Sequence, residues 1–164
     1  PLKNKVFDKI LFKLRNRFGG KSITIKETIQ RIIELKENSR KAIIAFVSDQ
    51  APLWSGKYHW SNFFQWETPV VTGAEQIGKH VDALIFYAEM ERIKRGYYRC
   101  KISRMIDDIQ QYADYEVTDL FMSKLEQSIH KAPSYWLWTH NRWIRTREEI
   151  MVWYKRIIHK KENV

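Results

Sequence analysis

Apolar and polar positions alternate with a helical period at the start of the chain. Val6, Phe7, Ile10, Leu11, Leu14 and Phe18 recur at three- and four-residue spacing, predicting an amphipathic helix over 4–18 that Gly19-Gly20 stops. Thr24-Ile25-Lys26-Glu27 has a capping-box pattern and predicts a second helix with Ile25, Ile29, Ile32 and Ile33 on its core side, ended by Asn38-Ser39. The β-branched and apolar run 42–48 reads as a buried parallel strand. Residues 51–69, with Pro52, Gly56 and Pro69, read as irregular. Thr72-Gly73-Ala74-Glu75 is a second capping-box pattern, opening a helix to about His80.

A second apolar strand is predicted over 83–89, then a turn at Arg95-Gly96 and a partner strand over 97–105. A helix over 116–131 places Leu120, Phe121, Leu125 and Ile129 on one face, with Pro133 beyond it. A last amphipathic helix over 147–160 carries Ile150, Trp153, Tyr154, Ile157 and Ile158, with Lys155, Arg156, Lys160 and Lys161 beside them. The order of elements argues for one α/β domain over 1–164 with a partly parallel mixed sheet flanked by helices. No internal repeat or linker interrupts it.

Composition narrows the partners. The net charge is +10 and aromatics make up 14% of the 164 residues. A basic, aromatic-rich surface suits single-stranded nucleic acid or an anionic membrane interface. The single cysteine, Cys100, excludes an internal disulfide and a cysteine-cluster zinc site. No apolar run reaches the length that spans a bilayer. The five histidines lack zinc-ligand spacing, so no metal or other cofactor is expected. Gly-X-Ser-X-Gly and Gly-rich phosphate loops are missing from the sequence.

Asp49-Gln50 follows the apolar run, where open α/β sheets place ligands. Asp49 is thus a site candidate, against the plainer reading that it caps a turn or pairs with an arginine. Trp54, Phe63 and Phe64 belong to an aromatic segment that forms either an acyl pocket or a small satellite core. Arg15 and Arg17 suit the C-terminus of the first helix; a guanidinium there can also hold a phosphate or an oxyanion. Glu75 has a sufficient role as a capping residue.

Five stretches in order resemble one family: "PLKNKVFDKILFKLRNRFGG", "FVSDQAP", "FFQWETPVVTGAEQIGKH", "RIKRGYYRCKI" and "LEQSIHKAPSYWLWTHNRW". They look like the later part of the Kdo-dependent lipid A biosynthesis acyltransferases, within the lysophospholipid acyltransferase superfamily. The resemblance runs to about Trp143 and implies the later part of a glycerol-3-phosphate-acyltransferase-like fold. It implies an enzyme on the cytoplasmic face of the Gram-negative inner membrane. That enzyme would move a fatty acyl group from acyl carrier protein to a hydroxyl of a lipid A precursor or related membrane lipid. Acyl carrier protein, the lipid acceptor and the membrane surface are the implied partners, and nucleic acid is not expected.

The family signature is a His followed five positions later by Asp or Glu. Five positions after the histidines here stand Phe64, Ile85, Tyr135, Arg145 and Val164. The expectation is that the signature lies upstream of these residues, the alternative being an inactive shortened relative. By the same resemblance Arg15 takes an oxyanion or phosphate role with Arg17 beside it. Asp49 and Gln50 hold polar groups of the acceptor, and Thr72, Gly73 and Glu75 pack behind that pocket. Among the closing residues, Trp136, Trp138 and Trp143 are expected to seal the fold, and Arg142 to stack on a ring. A basic nucleic-acid module remains a rival reading, as does an acceptor that is an amino-acid lipid or glycolipid.

Overall fold

A computed structural model describes residues 4–53, 58–144 and 146–153. The chain is mixed α/β and divides into two compact units, 1–44 and 45–164.

In the first unit, α1 (Lys5–Asn16) starts where Asn4 Oδ1 accepts from the Val6 and Phe7 amides at 3.0 and 3.2 Å. It stops before Gly19, whose φ of +82° no helix can continue. No residue of α1 is buried, so its predicted apolar stripe lies uncovered. The second helix, α2 (Thr28–Glu37), begins later than the capping pattern predicts. Thr24 Oγ1 donates to Glu27 Oε2 at 2.6 Å, and a turn over 25–27 leads into the helix. Of the predicted stripe only Ile32 is buried; Ile25 and Ile29 are exposed and Ile33 is half-buried.

Where the chain passes from the first unit to the second, the expected parallel strand over 42–48 is not formed, and no parallel sheet is present among the described residues. A parallel strand needs a neighbour running alongside, reached by a crossover. Both sheets here are two-stranded antiparallel hairpins, and Ile43 and Val47 stand exposed. The stretch 51–69 is not wholly irregular either. Strands β1 (Tyr58–Phe63) and β2 (Trp66–Val71) pair antiparallel through a two-residue turn. Phe64 and Gln65 both take positive φ there, 52° and 64°, the backbone that tight hairpins prefer.

The hairpin packs on α4 (Glu116–Lys131). Phe63, Val70, Met122, Leu125 and Ile129 form the main core, closed at its edge by Phe64, Phe121, Trp136 and Trp143. Phe63 is fully buried, and full burial of such a ring contributes about 1.5–3 kcal/mol. The buried face of α4 runs through Val117, Thr118 and Met122 as well as Leu125 and Ile129; Leu120 points outward. A smaller cluster of Ile106, Ile109 and Val117 is covered by Ile85, Met105 and Tyr112.

Helix α3 (Gly73–Val81) joins that cluster through Gly78. A Cβ there would stand 2.9 Å from the Ile109 Cδ1 and 3.0 Å from that of Ile85. β3 (Phe86–Lys94) and β4 (Tyr97–Arg104) form the second hairpin, turning at Arg95-Gly96 as predicted, with Gly96 at φ +80°. Residues 147–153 are helical and Ile150 is buried; the later part of the predicted last helix lies outside the described residues.

Candidate functional site

Asp49 leaves the extended stretch half-buried, and its Oδ1 is fully buried with no hydrogen-bond partner among the described residues. An orphaned buried carboxylate oxygen costs about 1–3 kcal/mol or more, so its presence calls for a donor other than the described residues. Two residues on, the Ala51 amide donates to His140 Nε2 at 3.5 Å. The segment after Asp49 is thereby tied to the closing stretch of the chain. Gln50 is exposed.

The Asp49 carboxylate lies within electrostatic reach of a polar group on β3 and α4. Alternation along β3 puts Tyr87 and Glu89 on the same side, towards α4. The Tyr87 hydroxyl lies 3.0 Å from Ser128 Oγ, which donates to Glu89 Oε1 at 3.1 Å. Lys131 Nζ donates to the same oxygen at 2.9 Å. Burial pushes the Tyr87 hydroxyl up, the Ser128 hydrogen bond and Lys131 oppose this, and the Glu89 and Asp49 charges add to the rise. The Lys131 hydrogen bond holds Glu89 below the usual carboxylate range, burial opposes it, and Ser128 adds to the lowering. The sequence reading missed these four residues. Their only signal is period-two spacing in β3 and i,i+3 spacing of Ser128 and Lys131 in α4, neither of which shows that the two faces meet.

Glu75 is buried and satisfied. Its carboxylate accepts from the Tyr115 amide at 2.6 Å, the Thr118 amide at 2.8 Å and the Thr118 hydroxyl at 2.6 Å. It caps α4 from another helix, and does not close the predicted box on α3, whose N-cap Thr72 makes no side-chain capping bond. Tyr115 adopts φ +72° to present its amide and stacks on His59 at 4.7 Å. Thr72 is buried. A Cβ on Gly73 would meet only Val71, at 4.0 Å, so the glycine is not required sterically.

A cleft of about 380 Å³ lies beside Glu75, lined also by Gln76, Lys79, His80, Asp114 and Tyr115. Lys79 bridges Asp114 at 2.9 Å and Glu75 at 3.4 Å. The Asp114 hydrogen bond raises its ammonium above the ordinary range, against the effect of burial. In that cleft Glu75, Lys79 and Asp114 all have partners, unlike Asp49 Oδ1 among the described residues.

The other predicted residues divide as follows. Arg15 is an exposed residue of the last turn of α1, and Arg17 caps that helix with its guanidinium 5.4 Å from the Phe18 ring centre. Both belong to the first unit. Phe63 is core, and Phe64 packs edge-on against it. Trp54 lies outside the described residues. Trp136 and Trp143 pack on Phe63, whereas Trp138 is half-exposed and donates to the Pro133 carbonyl at 2.7 Å. Arg142, expected to stack on a ring, is buried and donates to the Pro69 carbonyl at 2.9 Å. Trp143 Nε1 donates to Thr68 Oγ1 at 2.9 Å.

Among the described residues no helix is long and apolar enough to cross a membrane, and no group of His, Cys, Asp and Glu could hold a metal ion. The profile of the bacterial lipid A biosynthesis acyltransferases matches residues 1–145, and the chain belongs to that family. No curated protein matches it.

Proposed function

We propose that these residues form the acceptor-side part of an enzyme acting at the cytoplasmic face of the inner membrane. It transfers a fatty acyl group from acyl carrier protein to a hydroxyl of a lipid A precursor or related lipid. The acceptor hydroxyl attacks the thioester carbonyl, the C–S bond breaks, and an ester and a free thiol result. A histidine held by a carboxylate takes the hydroxyl proton and returns it to the departing sulfur. No histidine of the chain stands five positions before an acid, so in this reading that pair is supplied from outside residues 1–164. Asp49 accepts a hydrogen bond from a hydroxyl or amine of the acceptor, with Gln50 beside it. Arg15, with Arg17 beside it, neutralises a phosphate or the developing oxyanion.

The observation that carries this reading is the Oδ1 of Asp49, buried and without a hydrogen-bond partner among the described residues, in a chain of this family. The test is acyl transfer from acyl carrier protein to a lipid A precursor. Residues 1–164 alone are expected to be inactive, and a protein extended upstream to include a His-acid pair to be active. Activity that survives loss of that histidine would overturn the mechanism.

A further inference from the structure

The end of the β3–β4 hairpin carries a feature that acyl transfer does not use. From Glu91 to Arg104 there are six Lys or Arg residues against the single carboxylate of Glu91. Two of the cations rest on rings. Lys94 Nζ lies 4.3 Å from the Tyr97 ring centre, and the Arg92 guanidinium 5.5 Å from that of Tyr135. Apolar groups stand between them: Ile93, Tyr97 and Tyr98 are 49%, 61% and 64% exposed. Cross-strand pairing sets Met90 opposite Cys100 and Ala88 opposite Ile102 on the face that also carries Tyr98, with Met90 and Ile102 both exposed, while Tyr97 and Arg99 alternate onto the other face of the hairpin.

We propose that this hairpin end is a docking surface for an anionic phospholipid bilayer. Arg92, Lys94, Arg95 and Arg99 meet phosphate headgroups, and Ile93, Tyr97 and Tyr98 settle at the boundary between headgroups and acyl chains. Cations alone would serve any polyanion. Exposed Tyr rings would also stack on nucleic-acid bases, but the exposed aliphatic groups of Ile93, Met90 and Ile102 gain most where an apolar phase lies behind the anionic layer, as it does in a bilayer. Each Lys or Arg near such a surface strengthens partition about five-fold, and the effect fades within a Debye length. The inference rests on the lipid-acceptor reading, since an enzyme whose acceptor is a membrane lipid must work at the bilayer.

The test is co-sedimentation with vesicles of phosphatidylethanolamine and phosphatidylglycerol, against phosphatidylcholine alone. The chain is expected to bind the first and not the second. Lys94→Gln with Arg95→Gln should weaken binding about ten-fold or more, whereas Lys36→Gln with Lys41→Gln, an equal charge loss, should change it less than roughly two-fold. A nitroxide on Cys100, the only cysteine and exposed on β4, should lose mobility on the anionic vesicles alone. Equal losses in the two double variants would overturn the proposal, as would an unchanged nitroxide or binding to acyl carrier protein or single-stranded DNA without vesicle binding. Vesicle binding without acyl transfer by the extended protein sinks the enzymatic reading alone. Transfer to detergent-dispersed acceptor without vesicle binding sinks the docking surface alone.

Discussion

Two carboxylates, Glu75 buried and Asp49 half-buried, do opposite things. Glu75 satisfies two amides and a hydroxyl at the start of α4, so Glu75→Ala should cost about 2–4 kcal/mol in urea denaturation, by orphaning buried donors. Asp49 Oδ1 satisfies no group among the described residues. Asp49→Asn is therefore expected to leave the unfolding midpoint unchanged or raise it, while transfer by the extended protein falls about ten- to hundred-fold. A loss of more than about 1 kcal/mol in stability would make the residue structural. Glu89 supplies a pH test. Its folded-state pKa is lowered by Lys131, so its contribution is complete above the unfolded value and is lost as pH falls through the folded one. The stability gap between wild type and Glu89→Gln should be present at neutral pH and close below the ordinary glutamate range. A gap that persists in acid would contradict the pairing.

Turn chemistry shows how far elements were legible. β4 and α4 follow from period, caps and Arg95-Gly96, and the α4 bounds match the predicted 116–131; α3 starts at its capping pattern although that box does not close, and β3 runs over Phe86–Lys94 and not over the predicted 83–89. The β1–β2 hairpin did not announce itself, because its turn residues are Phe64 and Gln65 and Pro69 interrupts β2. Nothing in that stretch looks like a tight turn, yet tertiary packing of Phe63 and Phe64 holds both turn residues at positive φ. Gln65→Gly should relieve that backbone and stabilise the protein by about 0.5–1 kcal/mol, measured by thermal unfolding. The run 42–48 failed differently: an apolar stretch shows that it is apolar, and says nothing about whether a partner strand adjoins it. Asp49 was legible as a polar residue after such a run. Its neighbourhood was not, since Tyr87, Glu89, Ser128 and Lys131 assemble only when β3 meets α4.

At the level of the whole molecule, stability is uneven. α1 buries no residue, whereas α4 buries five. A twelve-residue helix without a covered face is marginal in water. Amides of α1 are therefore expected to exchange with solvent orders of magnitude faster than those of α4 in hydrogen-exchange mass spectrometry. Similar protection of both would mean that α1 is covered in solution. The last described stretch matters in another way. Arg142 and Trp143 reach back to Pro69 and Thr68, groups made more than seventy residues earlier. During synthesis the first hairpin must wait for its fastening, because Arg142 and Trp143 have yet to leave the ribosome when β2 emerges. Until α4 emerges a nascent chain would display Phe63 and Val70 to any chaperone nearby, and a stop codon placed just before residue 142 would leave them covered by α4 but the hairpin permanently without its Arg142 and Trp143 fastening.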